Sequence, residues 1–190
     1  MKTLAFTGHR PKDLGGYVEN NPTAMKVKKY LKILISHAYE SGCRTFITGM
    51  AMGVDQWAGE IVANLKLEKP DIKLIAAIPV MNQPSIWPQQ TRLQWKQLLA
   101  KCDVLHVVDI DEVVTLERIL SECDIPSDCP SYVISKKLNE RNHWMVNNAD
   151  CMLAIWKRNK GGTGNCVQYA QSKNKTVIAY NPDDDSVEKI

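Results

Sequence analysis

Thr45-Phe46-Ile47-Thr48-Gly49-Met50-Ala51-Met52-Gly53-Val54-Asp55 decides how this chain is read. A short run of β-branched and aromatic residues, 45–48, ends at a glycine-rich turn. Directly after Gly53, the apolar residues Val54, Ala58, Ile61 and Leu65 recur at helical spacing and stop before Pro70. Strand, glycine turn and helix together form the unit from which parallel sheets with helical crossovers are built.

The same rhythm extends in both directions. Apolar runs at 4–7, 72–78, 104–108, 151–156 and 176–180 read as further strands, most of them apolar without in/out alternation, as in strands covered on both faces. Between the first two, Asn21-Pro22 opens a helix whose Val27, Leu31, Leu34 and Ala38 share one face, and Gly42 closes it. Helices are also expected at about 89–100, 135–148 and 164–172. The reading is an α/β protein: a single-domain, Rossmann-like three-layer sandwich over residues 1–180, its mostly parallel sheet holding about six strands. Two segments fall outside this rhythm. Residues 109–132 carry seven acidic side chains against Arg118 alone and read as a surface insertion, with a short helix near 113–120 and mobility at the ligand-side edge. Residues 181–190 read as a frayed tail.

Composition narrows the function classes. The chain has 190 residues, 44% apolar and 24% charged, which excludes disorder and fibrous architectures. A net charge of +3 leaves no basic footprint for duplex DNA or an anionic membrane, and no apolar run is long enough to span a bilayer. The six cysteines contain no CxxC pair, which fits free thiols in a reducing cytoplasm; no metal and no cofactor is expected. Cys123 and Cys129 are the one pair whose spacing invites inspection.

Ligands of an open parallel sheet sit beyond the carboxyl ends of its strands, so the residues after each strand are the candidate site. Thr7-Gly8-His9-Arg10, Gly49-Met50-Ala51-Met52-Gly53 with Asp55, and Gly161-Gly162-Thr163-Gly164-Asn165 fall there and hold six of the ten glycines. Glycine allows close approach of backbone to ligand, and a following helix N-terminus offers amides to phosphate. His9 and Arg10 are candidate phosphate donors. Asp55, in the first turn of its helix, is equally placed to serve the helix dipole. Pro79 ends the third strand at the same edge, and Trp87 and Trp95 are candidates for stacking on a base or for packing. No turn matches the P-loop or the G-x-G-x-x-G pattern.

Taken in order, these motifs resemble the SLOG superfamily of Rossmann-like proteins, nearest the YpsA-like family and more distantly the lonely guy phosphoribohydrolases and DNA-processing protein A. The phosphoribohydrolases carry an E-R-K helix followed by P-G-G-x-G-T-x-E-E. This chain has Glu140-Arg141-Asn142 and then Gly161-Gly162-Thr163-Gly164, with Val167 and Gln168 in place of the catalytic glutamates. The resemblance therefore implies Arg141 as a ligand contact, and homodimers or higher homo-oligomers; as a phosphate-binding fork, Arg141 is expected to be removable with little change in melting temperature. It places in doubt an N-glycosidic hydrolase, for which Asp55 or Glu140 would have to replace the missing carboxylate. The expected function is binding of a nucleotide or nucleotide-derived small molecule, as a sensor, carrier or sequestering protein. N-glycosidic hydrolysis and single-stranded DNA handling are the alternatives.

Overall fold

A computed structural model describes residues 2–18, 21–126 and 130–190. The elements run β1 (Lys2–Gly8), α1 (Pro22–Glu40), β2 (Cys43–Thr48), α2 (Val54–Glu68), β3 (Lys73–Ile78), α3 (Gln89–Leu99) and β4 (Val104–Val107). They continue with β5 (Glu112–Val113), α4 (Leu116–Glu122), α5 (Ser131–Asn147), β6 (Cys151–Ile155), α6 (Gly162–Ser172), β7 (Thr176–Tyr180) and β8 (Val187–Lys189). The sheet order is β5-β4-β3-β2-β1-β6-β7-β8. β1 to β4 step outward in one direction; α5 then carries the chain back to set β6 against the free side of β1, with Gly8 beside Ile155. The strand order therefore reverses between β1 and β6, the crevice where doubly wound sheets bind ligands.

Alternation along the strands separates two cores. Leu4, Phe6, Phe46, Leu74, Ile78, Leu153 and Ile155 face the layer of α1 to α4. Ala5, Ala77, Ala154 and Ala179 face α5 and α6, which leaves space for those helices to lie close to the sheet. Helix boundaries follow local chemistry. The Asn21 side chain accepts a hydrogen bond from the Ala24 amide at 2.8 Å, Pro22 occupies the first helical position, and Gly42 at φ 96° ends the turn after α1.

The six parallel strands are present as expected, and β5 and β8 extend them with short antiparallel edges that are too brief to register as apolar runs. Two expectations are corrected. The 181–190 segment is not frayed: β8 pairs with β7 and Tyr180 Oη donates to Asp185 at 2.7 Å. In the acidic segment the described residues 109–126 are anchored, because Val114, Ile119 and Cys123 enter the core beneath their charged outer face. Its helix lies at Leu116–Glu122, and Cys129 falls outside the described residues.

Candidate functional site

A cleft of about 370 Å³ opens at the β1/β6 crevice. One wall is the end of β1 and the turn after it, from Thr7 to Asp13. The other is the β6–α6 turn with the amino end of α6, from Asn159 to Gly164, and α5 leans over the cleft with Leu138, Arg141 and Asn142. Ala51 and Asp55 form its floor.

Arg141 is the most constrained of these side chains. It is 4% exposed, its Nη1 donates to Asp55 Oδ2 at 2.9 Å, and its Nε is buried without a hydrogen-bond partner among the described residues. Asp55 Oδ2 also accepts from the Ala51 amide at 3.3 Å, so the carboxylate both braces the β2–α2 turn and orients the guanidinium. The turn itself is tight: Met50 sits at φ 60° with its amide on Thr48 Oγ1, and Thr48 Oγ1 donates to the Asp55 carbonyl at 2.6 Å. The guanidinium fills the space beside Gly49, where a Cβ would come within 1.4 Å of Nη1. Arg141 is therefore tied into the β2–α2 turn as well as facing the cleft, so its removal is expected to cost stability as well as any ligand contact.

The two helix N-termini at this edge differ. At α2, the Val54 amide donates to the His9 carbonyl at 3.4 Å, and the Gln56 amide to Ala51 at 3.3 Å, so backbone carbonyls of the turns after β1 and β2 occupy that end. At α6, Gly161 (φ 140°) supplies no side-chain cap, and Gly162, Thr163 and Gly164, whose amides are the helix's first and have no intrahelical acceptor, line the cleft. A Cβ on Gly162 would meet nothing within 4 Å, so neither packing nor backbone conformation requires glycine there.

His9 has a partner that sequence could not reveal. Its Nε2 accepts a hydrogen bond from the Lys157 amide at 3.0 Å, so in this geometry the ring is neutral with the proton on Nδ1. Burial pushes the imidazole below its ordinary value, against the opposing pull of Asp13 and Asp183. Arg10 is half-buried; burial, then the neighbouring Arg141, lower the guanidinium from its ordinary value, while Asp55 opposes them. Arg10, Lys12, Arg141 and Lys160 face two carboxylates, Asp13 and Asp55, so the cleft carries a positive excess.

Of the expected site residues, Thr7, Gly8, His9, Arg10, Ala51, Asp55, Arg141, Gly161, Gly162, Thr163 and Gly164 line this one cleft. Gly49, Met50, Met52 and Gly53 shape the turn beneath it without lining it, and Asn165 lies within α6. Pro79 is elsewhere, its carbonyl accepting from the Asp109 amide beside a second cavity at the β3 and β4 ends. Trp95 is fully buried and Trp87 packs against the same core. Glu140 pairs with Lys136 one turn away, outside the cleft lining. Lys12, Asp13, Leu138, Asn142, Asn159 and Lys160 also line the cleft without being among the expected site residues; for Lys160 and Asn142, adjacency to an expected residue is the available signal.

Fold and cleft together define a Rossmann-like α/β protein with a cationic, glycine-lined crevice at its topological switch point. The chain belongs to the YspA SLOG family, whose model matches residues 4–118. It is 30% identical over 161 residues to the uncharacterized SPbeta prophage-derived protein YoqJ of Bacillus subtilis (strain 168), covering 84% of this chain and 87% of that one. It is 25% identical over 180 residues to a UPF0398 protein of Bacillus thuringiensis (strain Al Hakam), covering 95% and 88%. Among solved structures, DNA processing protein A (DprA) of Streptococcus pneumoniae superposes with a TM-score of 0.54 at 16% identity, over 94% of this chain and 50% of that one. DNA processing protein A of Helicobacter pylori, studied for its single-stranded DNA binding mode, gives 0.52 at 16% identity, over 94% and 65%. The chain thus spans only half to two thirds of those structures, and at such identity they establish the shared fold.

Proposed function

We propose that this protein binds a nucleotide or nucleotide-derived small molecule, with a phosphate held against the amino end of α6. The observation that carries the reading is the convergence on one crevice of the Gly162–Thr163–Gly164 amides and the buried Arg141, whose Nε has no partner among the described residues. Arg10, Lys12 and Lys160 add charge around the same space, and a volume near 370 Å³ falls within the range of small-molecule sites. Hydrolysis of the glycosidic bond is the weaker reading. Asp55 is committed to Arg141, Glu140 lies outside the cleft, and Val167 and Gln168 stand where that chemistry needs carboxylates.

The test is calorimetry and mass spectrometry with AMP, ADP, ATP, NAD and ADP-ribose, reading both bound ligand and products. Recovery of an intact bound nucleotide is expected. Arg10→Ala should weaken it about tenfold to a hundredfold, the value of a charge-assisted phosphate contact of about 1.5–3 kcal/mol. Absence of binding across the panel, with a salt-dependent shift of single-stranded oligonucleotide, would replace this reading with the DNA-handling one that the Helicobacter pylori protein suggests.

A further inference from the structure

His9 sits where three segments meet. Its carbonyl accepts from the first amide of α2 at 3.4 Å, and a Cβ on Gly53 would lie 2.7 Å from that carbonyl, so its backbone is pinned between β1 and α2. Its ring reaches the opposite wall of the cleft and accepts the Lys157 amide, 148 residues away in sequence. Lys157 begins the turn that delivers the α6 amides. That turn includes Arg158 at φ 59°, a left-handed conformation that a non-glycine residue keeps only when its surroundings enforce it, and Gly161 at φ 140°, which glycine adopts freely. Its other anchors are the Trp156 indole, which donates to the Asn159 carbonyl at 2.9 Å, Lys157 Nζ paired with Asp183 at 2.7 Å, and Arg158 Nη2, which pairs with Glu188 at 2.7 Å and donates to Ser186 Oγ at 3.1 Å.

We propose that His9 is a positioning residue for this site: as a neutral ring it latches the β6–α6 turn to β1, and its protonation opens that latch and weakens anion binding. The proposal rests on the anion reading above. An imidazolium has no acceptor nitrogen, so a proton on Nε2 turns the Lys157 contact from a hydrogen bond into a clash of two N–H donors. Because the His9 backbone is pinned, the turn gives way. The charged groups facing the ring are Asp13 from the turn after β1, Lys157 from the β6–α6 turn and Asp183 from the segment after β7. The two carboxylates favour protonation; burial and Lys157 oppose it, and burial is the largest influence.

The sign of the effect separates a latch from a simple charge. A histidinium beside an anion site attracts the anion and would tighten binding in acid, whereas an opening latch weakens it. Sulfate is the suitable probe, because it stays a dianion between pH 5 and 8 while phosphate esters take up a proton near pH 6. Sulfate binding is measured over that range beside 15N NMR of the His9 ring and the Lys157 amide. The expected result is a ring protonated on Nδ1 at pH 8 and a Lys157 amide that loses protection as the ring titrates. Sulfate should bind about fivefold more weakly at the acid end, equivalent to one lost hydrogen bond. His9→Gln, which keeps a neutral acceptor, should bind sulfate at pH 8 and lose the acid weakening; His9→Phe should bind weakly at every pH. Tighter or unchanged sulfate binding through the ring's titration overturns the proposal, as does acid weakening that persists in His9→Gln. If wild type binds neither sulfate nor AMP at pH 8, the anion reading fails and the coupling with it, while a Lys157 amide unprotected at pH 8 overturns the latch itself.

Discussion

Gly49→Ala tests whether the cleft is built around the Arg141–Asp55 pair. Gly49 has an ordinary backbone conformation, so alanine introduces no φ/ψ strain and any effect comes from the added methyl alone. That methyl would lie 1.4 Å from Arg141 Nη1, 2.4 Å from Cζ and 2.6 Å from Asp55 Oδ2. Restoring ordinary contact at 3.4 Å requires the guanidinium to move by about 2 Å, and the 2.9 Å hydrogen bond to Asp55 cannot survive it. Were Arg141 sealed in the interior, breaking the pair would cost about 3–5 kcal/mol. It borders an open cleft into which its charge can swing, so the loss is nearer the value of one charged hydrogen bond, about 1.5–3 kcal/mol. For a domain of this size that lowers Tm by roughly 3–12 °C. Thermal and urea unfolding of Gly49→Ala, Arg141→Ala and the double variant measure it. If the methyl acts chiefly through Arg141, Gly49→Ala costs less once Arg141 is already alanine, the remainder being the 2.6 Å approach to Asp55 Oδ2. A wild-type Tm in the single variant, or an undiminished cost in the double, would refute the reasoning.

The same change at Gly162 should do the reverse: with nothing within 4 Å of its Cβ, Gly162→Ala should leave Tm unchanged or slightly raised, and Gly162→Val should abolish nucleotide binding while the protein still melts cooperatively. Deleting residues 182–190 removes β8 together with Asp183, Ser186 and Glu188, which anchor Lys157 and Arg158; hydrogen exchange should rise through 157–162 and binding should weaken. Burial pushes the thiols of Cys102 and Cys151 up to about 12 and that of Cys166 up to about 11, so these three should resist alkylation at pH 8 in the native protein and react in urea. His9 and His106 are held below the ordinary value of 6.5, chiefly by burial, so the unfolded chain binds more protons in that window. Urea stability should therefore be at its full value above pH 6.5 and decline as pH falls through it; His9→Gln with His106→Gln should flatten the decline.

Strands 45–48 and 151–156 were legible because a strand buried on both faces has to be apolar whatever its neighbours, and α1 because Asn21, Pro22 and Gly42 act through local backbone chemistry. β8 was not, since Val187-Glu188-Lys189 is exposed and its pairing with β7 comes from chain return rather than side-chain pattern. The acidic insertion misled for the opposite reason. Its charges dominate its composition, while a few residues, Val114, Ile119 and Cys123, tie it to the core, and so small a number leaves no visible period.

The site was legible in its parts and not in its assembly. Glycine-rich turns after strands could be found one at a time, but sequence gives the same letter to Gly49, which yields space to a guanidinium, and to Gly162, which yields space to nothing in the protein. Only the sheet order separates them. When the chain returns through α5 and lays β6 against β1, the turn after β2 is covered by Arg141 and becomes a floor, while the turns after β1 and β6 become opposing walls. That adjacency also decides what His9 does. On its own strand it reads as an exposed donor beside Arg10; across the crevice, with its acceptor nitrogen on the Lys157 amide, it holds the two walls together. In this fold a residue's role at the carboxyl edge is set less by its own motif than by the strand placed beside it, and that strand can lie anywhere in the chain.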